Sequence, residues 1–238
     1  IIRGEISMKR LDDAVQRVWA LKERFGLLKK DRELIVPITN EQTAHNVTIS
    51  QLVAEKAITL VRDDRKMLPI NPHKNERILM VAVLPFSRKG GDGNIGQVIK
   101  LKEELVNKGL NVDFQHELLY ETNYWSDETV NKYDKVIFVT IRHNHGPFGP
   151  LQMYDDQAQS VWGANASDKS KIIVISLGSP YHVNEYFERI STVINAYSSD
   201  NSTVKAVAKV LLGEIPFKGV SPVNLSMDVF NISNRVKT

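Results

Sequence analysis

Apolar residues follow two different patterns along this chain. In the early part they recur at steps of three and four. Leu11, Ala14, Val15, Val18, Leu21 and Phe25 make one face of a helix predicted over residues 7–25 and ended by Gly26. A second helix is predicted over residues 39–56. Thr39 and Gln42 have the spacing of a capping box, and Ala44, Val47, Leu52 and Val53 supply an apolar face. Between the two, residues 29–37 are charged and then broken by Pro37, which reads as a linker.

From residue 58 the pattern becomes short runs rich in Val, Ile and Leu, at 58–61, 78–84, 112–114, 136–141, 172–177 and 193–197. Strands buried on both faces read as such runs. Helical segments are predicted among them at 95–108, 152–162, 180–189 and 202–212. The alternation predicts an α/β fold: a doubly wound, mostly parallel sheet with helices on both faces, a three-layer sandwich. The stretch 171–199 is its centre. One apolar run stops at Gly178, Ser179 is placed as a helix N-cap with Pro180 at the first helical position, and a second run follows, so both runs read as parallel strands. Beyond residue 215 no periodicity remains, and the chain reads as a tail over the surface. The expected division is 1–28, 29–56, 57–215 and 216–238.

Composition narrows the classes. A chain of 238 residues that is 42% hydrophobic can bury a sizeable core. The formal charge of +3 comes from 31 basic and 28 acidic residues scattered along the sequence, with no basic block, so nucleic acid is not an expected partner. There are no cysteines, which removes disulfides, thiolate metal sites and cysteine nucleophiles, and leaves the compartment open. No apolar stretch approaches the roughly 20 residues of a membrane span. The first residues lack the layout of a secretory signal and an initiator Met, so the chain reads as a piece of a longer one.

Three motifs invite chemistry. Gly91, Gly93 and Gly96 form a G-x-G-x-x-G before a helix, with Asp113 at the distance of a dinucleotide fingerprint. However, residues 85–90 separate the first glycine from the strand end, so a Gly-rich loop capping a helix competes with a nucleotide or sugar-phosphate site, for which Ser87, Arg88 and Lys89 would supply anion contacts. Arg142, His143 and His145 follow a strand at the carboxyl end of the sheet, where open α/β folds place ligands. The two histidines are spaced to face one way in an extended loop. A metal would need a third ligand, with Asp155 or Asp156 the nearest acids, and nothing in the spacing demands one, so no metal or other cofactor is expected. Ser179 departs from the G-x-S-x-G elbow, and Pro180 removes the amide that would serve an oxyanion hole, so a cap is the better reading than a nucleophile.

The order of several short motifs carries a resemblance. Gly4, Ser7, Leu11-Asp12, Ala14-Val15, Arg17-Val18, Leu21-Lys22 and Phe25-Gly26-Leu27 are similar to the last helix of the (β/α)8 barrel of family 3 glycoside hydrolases. The run from Ala54 to Val61 with Leu68-Pro69-Ile70, then Gly178-Ser179-Pro180-Tyr181, then Val210 to Glu214 with Gly219 and Pro222-Val223, continue it into that family's second domain. The chain thus resembles the C-terminal part of the family, its β-N-acetylglucosaminidase branch especially. The resemblance implies an accessory domain that packs on a barrel and borders its sugar site. The nucleophilic Asp and the acid/base His of that branch belong to the barrel, so no catalytic residue is implied here. The loop 142–156 has no Glu, unlike the β-glucosidase branch, whose acid/base Glu lies in the second domain. Arg142, His143 and His145 are the expected sugar-facing residues, with cell-wall glycans the expected substrate class.

Overall fold

A computed structural model describes residues 3–29, 37–83, 95–116, 131–141, 169–181, 187 and 189–223. The chain divides into two compact units, Ile1–Ala44 and His45–Thr238. The first holds helix α1 (Met8–Arg24), capped by Ser7, whose hydroxyl accepts from the Arg10 amide at 3.2 Å. No residue of α1 is buried, so the predicted stripe of Val15, Val18, Leu21 and Phe25 is exposed. Helix α2 (Asn40–Ala57) spans the boundary between the units. Its capping box forms as expected: Thr39 N donates to Gln42 Oε1 at 3.0 Å, and Gln42 N to Thr39 Oγ1 at 3.1 Å. Only Ala54 of α2 is buried, and the apolar face expected at Val47, Leu52 and Val53 is exposed.

The second unit is built on one sheet. Its strands are β1 (Thr59–Asp63), β2 (Arg77–Val83), β3 (Asn111–His116), β4 (Lys135–Thr140), β5 (Ile172–Ser176) and β6 (Thr192–Asn195). Their order across the sheet is β3-β2-β4-β5-β6-β1. All pairings are parallel except that of β1 with β6, so the mostly parallel, doubly wound reading holds. The longer helices described beyond α2 are α3 (Ile95–Asn107) and α4 (Asn201–Leu211). The five parallel strands have the flavodoxin-type order, whose switch point lies between β2 and β4.

Both faces of the sheet are buried, which is why β2, β4 and β5 are near-continuous apolar runs. On one face Ile78, Met80, Ile137, Val139, Ile173 and Ile175 pack with Val98, Leu101 and Leu105 of α3 and Val204, Val207, Val210 and Leu211 of α4. On the other, Leu79, Val81, Phe138, Val174 and Val193 pack with Phe187 and Ile190. Tyr181 is helical, but most of the helix expected at 180–189, and all of that expected at 152–162, lie outside the described residues.

Side chains fasten the antiparallel edge. Arg62 of β1 donates through Nε to the Ile190 carbonyl at 2.6 Å and through Nη2 to the Phe187 carbonyl, which ties β1 to the connection leading into β6. Asp63 accepts from the amides of Met67 and Leu68 and from the Thr192 hydroxyl, so one carboxylate fixes both the turn after β1 and the start of β6. The stretch after α4 is anchored too. Ile215 and Phe217 pack against the core, and Gly219 N donates to Ile58 O at 3.0 Å. At Gly219 a Cβ would lie 2.0 Å from the Ala57 carbonyl oxygen, so only glycine fits there.

Candidate functional site

The sheet directs attention to the carboxyl ends of its parallel strands, where folds of this order place ligands. Residues 84–94 follow β2 and residues 142–168 follow β4, so both sequence motifs are attached to the two strands flanking the switch point. Arg142, His143 and His145 themselves lie outside the described residues, as do Gly91 and Gly93. Gly96 is described in the first turn of α3. Ile141, just before Arg142, is buried against the core.

What the described residues do show is a row of polar side chains across the last positions of three strands. Thr140 of β4 pairs in register with Ser176 of β5, Ser176 with Asn195 of β6, and Asn195 with Thr59 of β1. Paired positions in neighbouring strands face the same side of a sheet. Here that side is the one lined by Phe138, Val174 and Val193, since strand residues alternate. Thr140, Ser176 and Asn195 have no exposed surface, and Thr59 is 6% exposed.

The row divides into satisfied and unsatisfied members. Ser176 Oγ donates to the Ser179 carbonyl at 3.2 Å. Tyr197 OH donates to Thr59 Oγ1 at 3.0 Å, and Thr59 Oγ1 donates to the Ala57 carbonyl at 3.1 Å. Thr140 Oγ1 and both amide atoms of Asn195 have no hydrogen-bond partner among the described residues. A buried polar group left unpaired costs on the order of 1–3 kcal/mol, so three such atoms in one row are a departure from ordinary core construction.

The rim continues the polar character. Tyr197 has φ +63, a left-handed conformation unfavourable for a residue with a Cβ, two positions beyond Asn195. Ser198 Oγ donates to Asp200 Oδ2 at 2.7 Å, and Asp200 Oδ1 accepts from the Thr203 amide at 2.8 Å as the N-cap of α4. Burial pushes the Asp200 carboxyl up, but the hydrogen bonds from Thr203, Ser198 and Ser202 outweigh it and hold the group below the ordinary carboxylate range. A separate surface groove between α3 and α4, lined by residues such as Lys100, Glu103 and Asn201, belongs to the opposite face. Among the described residues no group of three His, Asp or Glu could hold a metal ion. No helix among them is long and apolar enough to cross a membrane.

Sequence reasoning passed over Thr140 and Asn195 by absorbing them into apolar runs. It also extended the last strand to Tyr197, whereas β6 ends at Asn195 and Tyr197 has left the extended region. A signal was present: each run carries a polar residue near its carboxyl end, and Asn is disfavoured inside strands. Ser179 contributes its carbonyl to Ser176, and nothing in its described contacts marks it as a nucleophile.

No family model matches the chain. A β-N-acetylglucosaminidase/β-glucosidase from Cellulomonas fimi is 27% identical over 232 residues, which are 93% of this chain and 40% of that protein. The solved structure of the β-glucoside phosphorylase BglX is similar at 26% identity with a TM-score of 0.68, again over 93% of this chain and 40% of that one. A glycoside hydrolase family 3 β-N-acetylglucosaminidase from Paenibacillus sp. shares the fold at 24% identity and a TM-score of 0.61, covering 95% of this chain and 41% of its own. The chain therefore spans about two fifths of the length of the relatives it matches. In fold and in extent, the chain is similar to a C-terminal domain of glycoside hydrolase family 3 proteins.

Proposed function

We propose that this chain is the accessory domain of a retaining β-N-acetylhexosaminidase acting on N-acetylglucosamine-containing glycans, cell-wall muropeptides among them. In this reading a (β/α)8 barrel on another stretch of polypeptide carries the catalytic Asp and His. Residues 1–28 are the terminal helix of that barrel, 29–56 a linker and helix, 57–215 the sandwich that borders the sugar site, and 216–238 a tail. Arg142, His143 and His145, leaving the carboxyl end of β4, face the sugar.

The observation that carries the reading is the uncovered apolar stripe of α1. Val15, Val18, Trp19, Leu21 and Phe25 are each at least 44% exposed on a single 17-residue helix and its cap. An apolar patch of that kind is the surface a partner covers. The match to only 40% of each longer relative supplies a candidate for the partner. Retaining glycoside hydrolysis requires two carboxyl-type groups, or their equivalents, flanking one bond, so the domain by itself is inactive in this reading.

The test is reconstitution. The chain is mixed with a separately produced barrel chain and assayed on aryl N-acetylglucosaminide and aryl glucoside. Association with gain of N-acetylglucosaminidase activity is expected. Activity from this chain alone, or failure to associate with the barrel, overturns the proposal. The likeness to a β-glucoside phosphorylase favours a second reading, in which phosphate and not water accepts the glycosyl group. Running the same assay with and without inorganic phosphate separates the two, since only the second makes turnover depend on phosphate.

A further inference from the structure

We infer that the open edge of β3, with the flank of α3 above it, is an interface for a second copy of this chain, joined across a two-fold axis so that the two sheets become continuous. The inference concerns the end of the sheet opposite β1 and does not depend on the pairing with a barrel.

The edge is open among the described residues. β3 pairs with β2 on one side and is the last strand of the sheet, so alternate amides and carbonyls along Asn111–His116 point outward with no strand to meet them. Such an edge is a template for another strand, and proteins commonly blunt it with lysine, proline or a bulge. β3 has none of these; its one formal charge is Asp113, which Arg77 meets at 3.5 Å. The helix above it is apolar on the same side. α3 lies over β2 and β3, with Val98, Leu101 and Leu105 turned to the core and Lys100, Glu104 and Asn107 turned to α4. At roughly 3.6 residues per turn, Ile99 and Val106 fall on the remaining flank, above the open edge. Both are at least 36% exposed, and Phe114 of β3 is only partly covered by the core.

This surface is complementary to itself. An antiparallel pairing of β3 with the β3 of a second copy, centred on Phe114, brings the two phenyl rings together and sets Asp113 against Gln115, an acceptor against an amide donor. Centring the pair on Asp113 would oppose two carboxylates, so the residue types select the first register. Strands add at about 4.8 Å, so two helices that each lie over β2 and β3 come to stand about two spacings, roughly 10 Å, apart, the distance at which helices pack. The two-fold makes them antiparallel, with the Ile99 and Val106 flanks in contact and Lys102 and Glu103 near the axis, each facing its opposite charge on the other copy. Neither has an ion-pair partner among the described residues. A different polypeptide would have to reproduce this order of apolar and charged positions, whereas a second copy supplies it by symmetry.

The experiment is sedimentation velocity on the full chain over a few-hundredfold range of concentration, with amide hydrogen exchange at the two extremes. A monomer–dimer equilibrium is expected, with the β3 amides gaining protection as the dimer forms. Ile99→Lys and Val106→Lys should each raise the dimer Kd at least about tenfold. Lys102→Glu should raise it about fivefold, and adding Glu103→Lys should restore it to within about twofold, a rescue that loss of folding cannot imitate. All four substitutions lie on the outer side of α3 and should leave the Tm of dilute protein unchanged. Val18→Asp, on α1, should leave the dimer intact. A chain that stays monomeric throughout the range overturns the inference and leaves the β3 edge to solvent or to the chain's own residues. So does a dimer that Val18→Asp disperses and Val106→Lys does not, which would place the contact on α1. Neither result bears on the reconstitution test, whose partner is a barrel chain and whose readout is activity.

Discussion

Helices α1 and α4 show the same amphipathic periodicity and meet opposite fates. In α4, Val204, Val207, Val210 and Leu211 are 0–1% exposed against the sheet. In α1, Val15, Val18 and Leu21 are 44–54% exposed, and no residue of the helix is buried. Helical propensity and patterning therefore say which face of a helix is sticky without saying what it meets. For α4 the answer is within the unit; for α1 the described residues offer none. A short amphipathic helix gains most of its stability from packing, so α1 should be the least stable helix of the chain on its own and gain the most from a partner.

The largest expected contrast comes from placing one charge on each helix. Val207→Asp buries an unpaired carboxylate in the core and should cost about 4 kcal/mol or more, enough to abolish the cooperative melt in a protein of ordinary stability. Val18→Asp puts the same charge on a residue 51% exposed and should change the stability of this chain by no more than about 0.5 kcal/mol. It should nevertheless abolish association in the reconstitution assay. Equal destabilisation by the two, read from chemical denaturation, would mean that α1 is covered after all.

Gly219 probes where coverage begins. Its backbone lies against the Ala57 carbonyl at the end of α2, with the Thr59 hydroxyl beside it. Gly219→Ala should force the segment off β1, breaking the Gly219 N to Ile58 O bond and loosening Phe217, at a cost of about 2–3 kcal/mol. The expected readout is a drop in Tm with faster amide exchange at Ile58 to Leu60. An unchanged melt would show that the segment is not part of the cooperative unit.

The helix caps make a milder version of the same contrast. Asp200→Ala removes the α4 cap and should cost about 1 kcal/mol of global stability near neutral pH. Its carboxyl is held below the ordinary range in the folded state, so the contribution is present above the unfolded pKa and is lost as pH falls through the folded one. The difference between parent and Asp200→Ala should accordingly shrink in acid. Ser7→Ala removes the corresponding cap of α1, where it should reduce helical signal slightly and leave the main transition in place.

The sandwich was largely readable from sequence because a strand buried on both faces has to be apolar at every position. Ile78 to Val83, Val136 to Val139 and Ile172 to Ile175 announce themselves for that reason. The antiparallel placement of β1 was not readable: it depends on Arg62 and Asp63 reaching carbonyls and hydroxyls some 125 or more residues away. The polar row was hidden for the converse reason. Thr140 and Asn195 end runs whose other members explain themselves by burial, and only the absence of partners, visible once the strands are in register, distinguishes them. The faces of α1 and α2 were identified as apolar correctly, but a periodicity carries no record of what covers it.

The smallest effect expected is also the one that locates the seam between covered and uncovered helix. At the last turns of α2, Glu55 accepts from Lys209 Nζ of α4 at 2.6 Å and from Gln51 Nε2 at 3.1 Å. Ala54 alongside it is the one buried residue of α2. The hydrogen bond from Lys209, then that from Gln51, lowers the Glu55 carboxyl below its ordinary range despite some burial. The pair is partly solvated, with side chains 26% and 35% exposed, so its contribution should be no more than about 0.5–1 kcal/mol. Glu55→Gln should lose that amount, and the loss should fade at high salt, which screens the charge but leaves the packing of Ala54 unchanged. It should fade in acid as well, because a carboxyl with a depressed folded pKa stabilises only above it. A Glu55→Gln penalty that resists both salt and acid would mean that the end of α2 is held by packing alone, and the uncovered region would then begin one turn earlier, at Gln51.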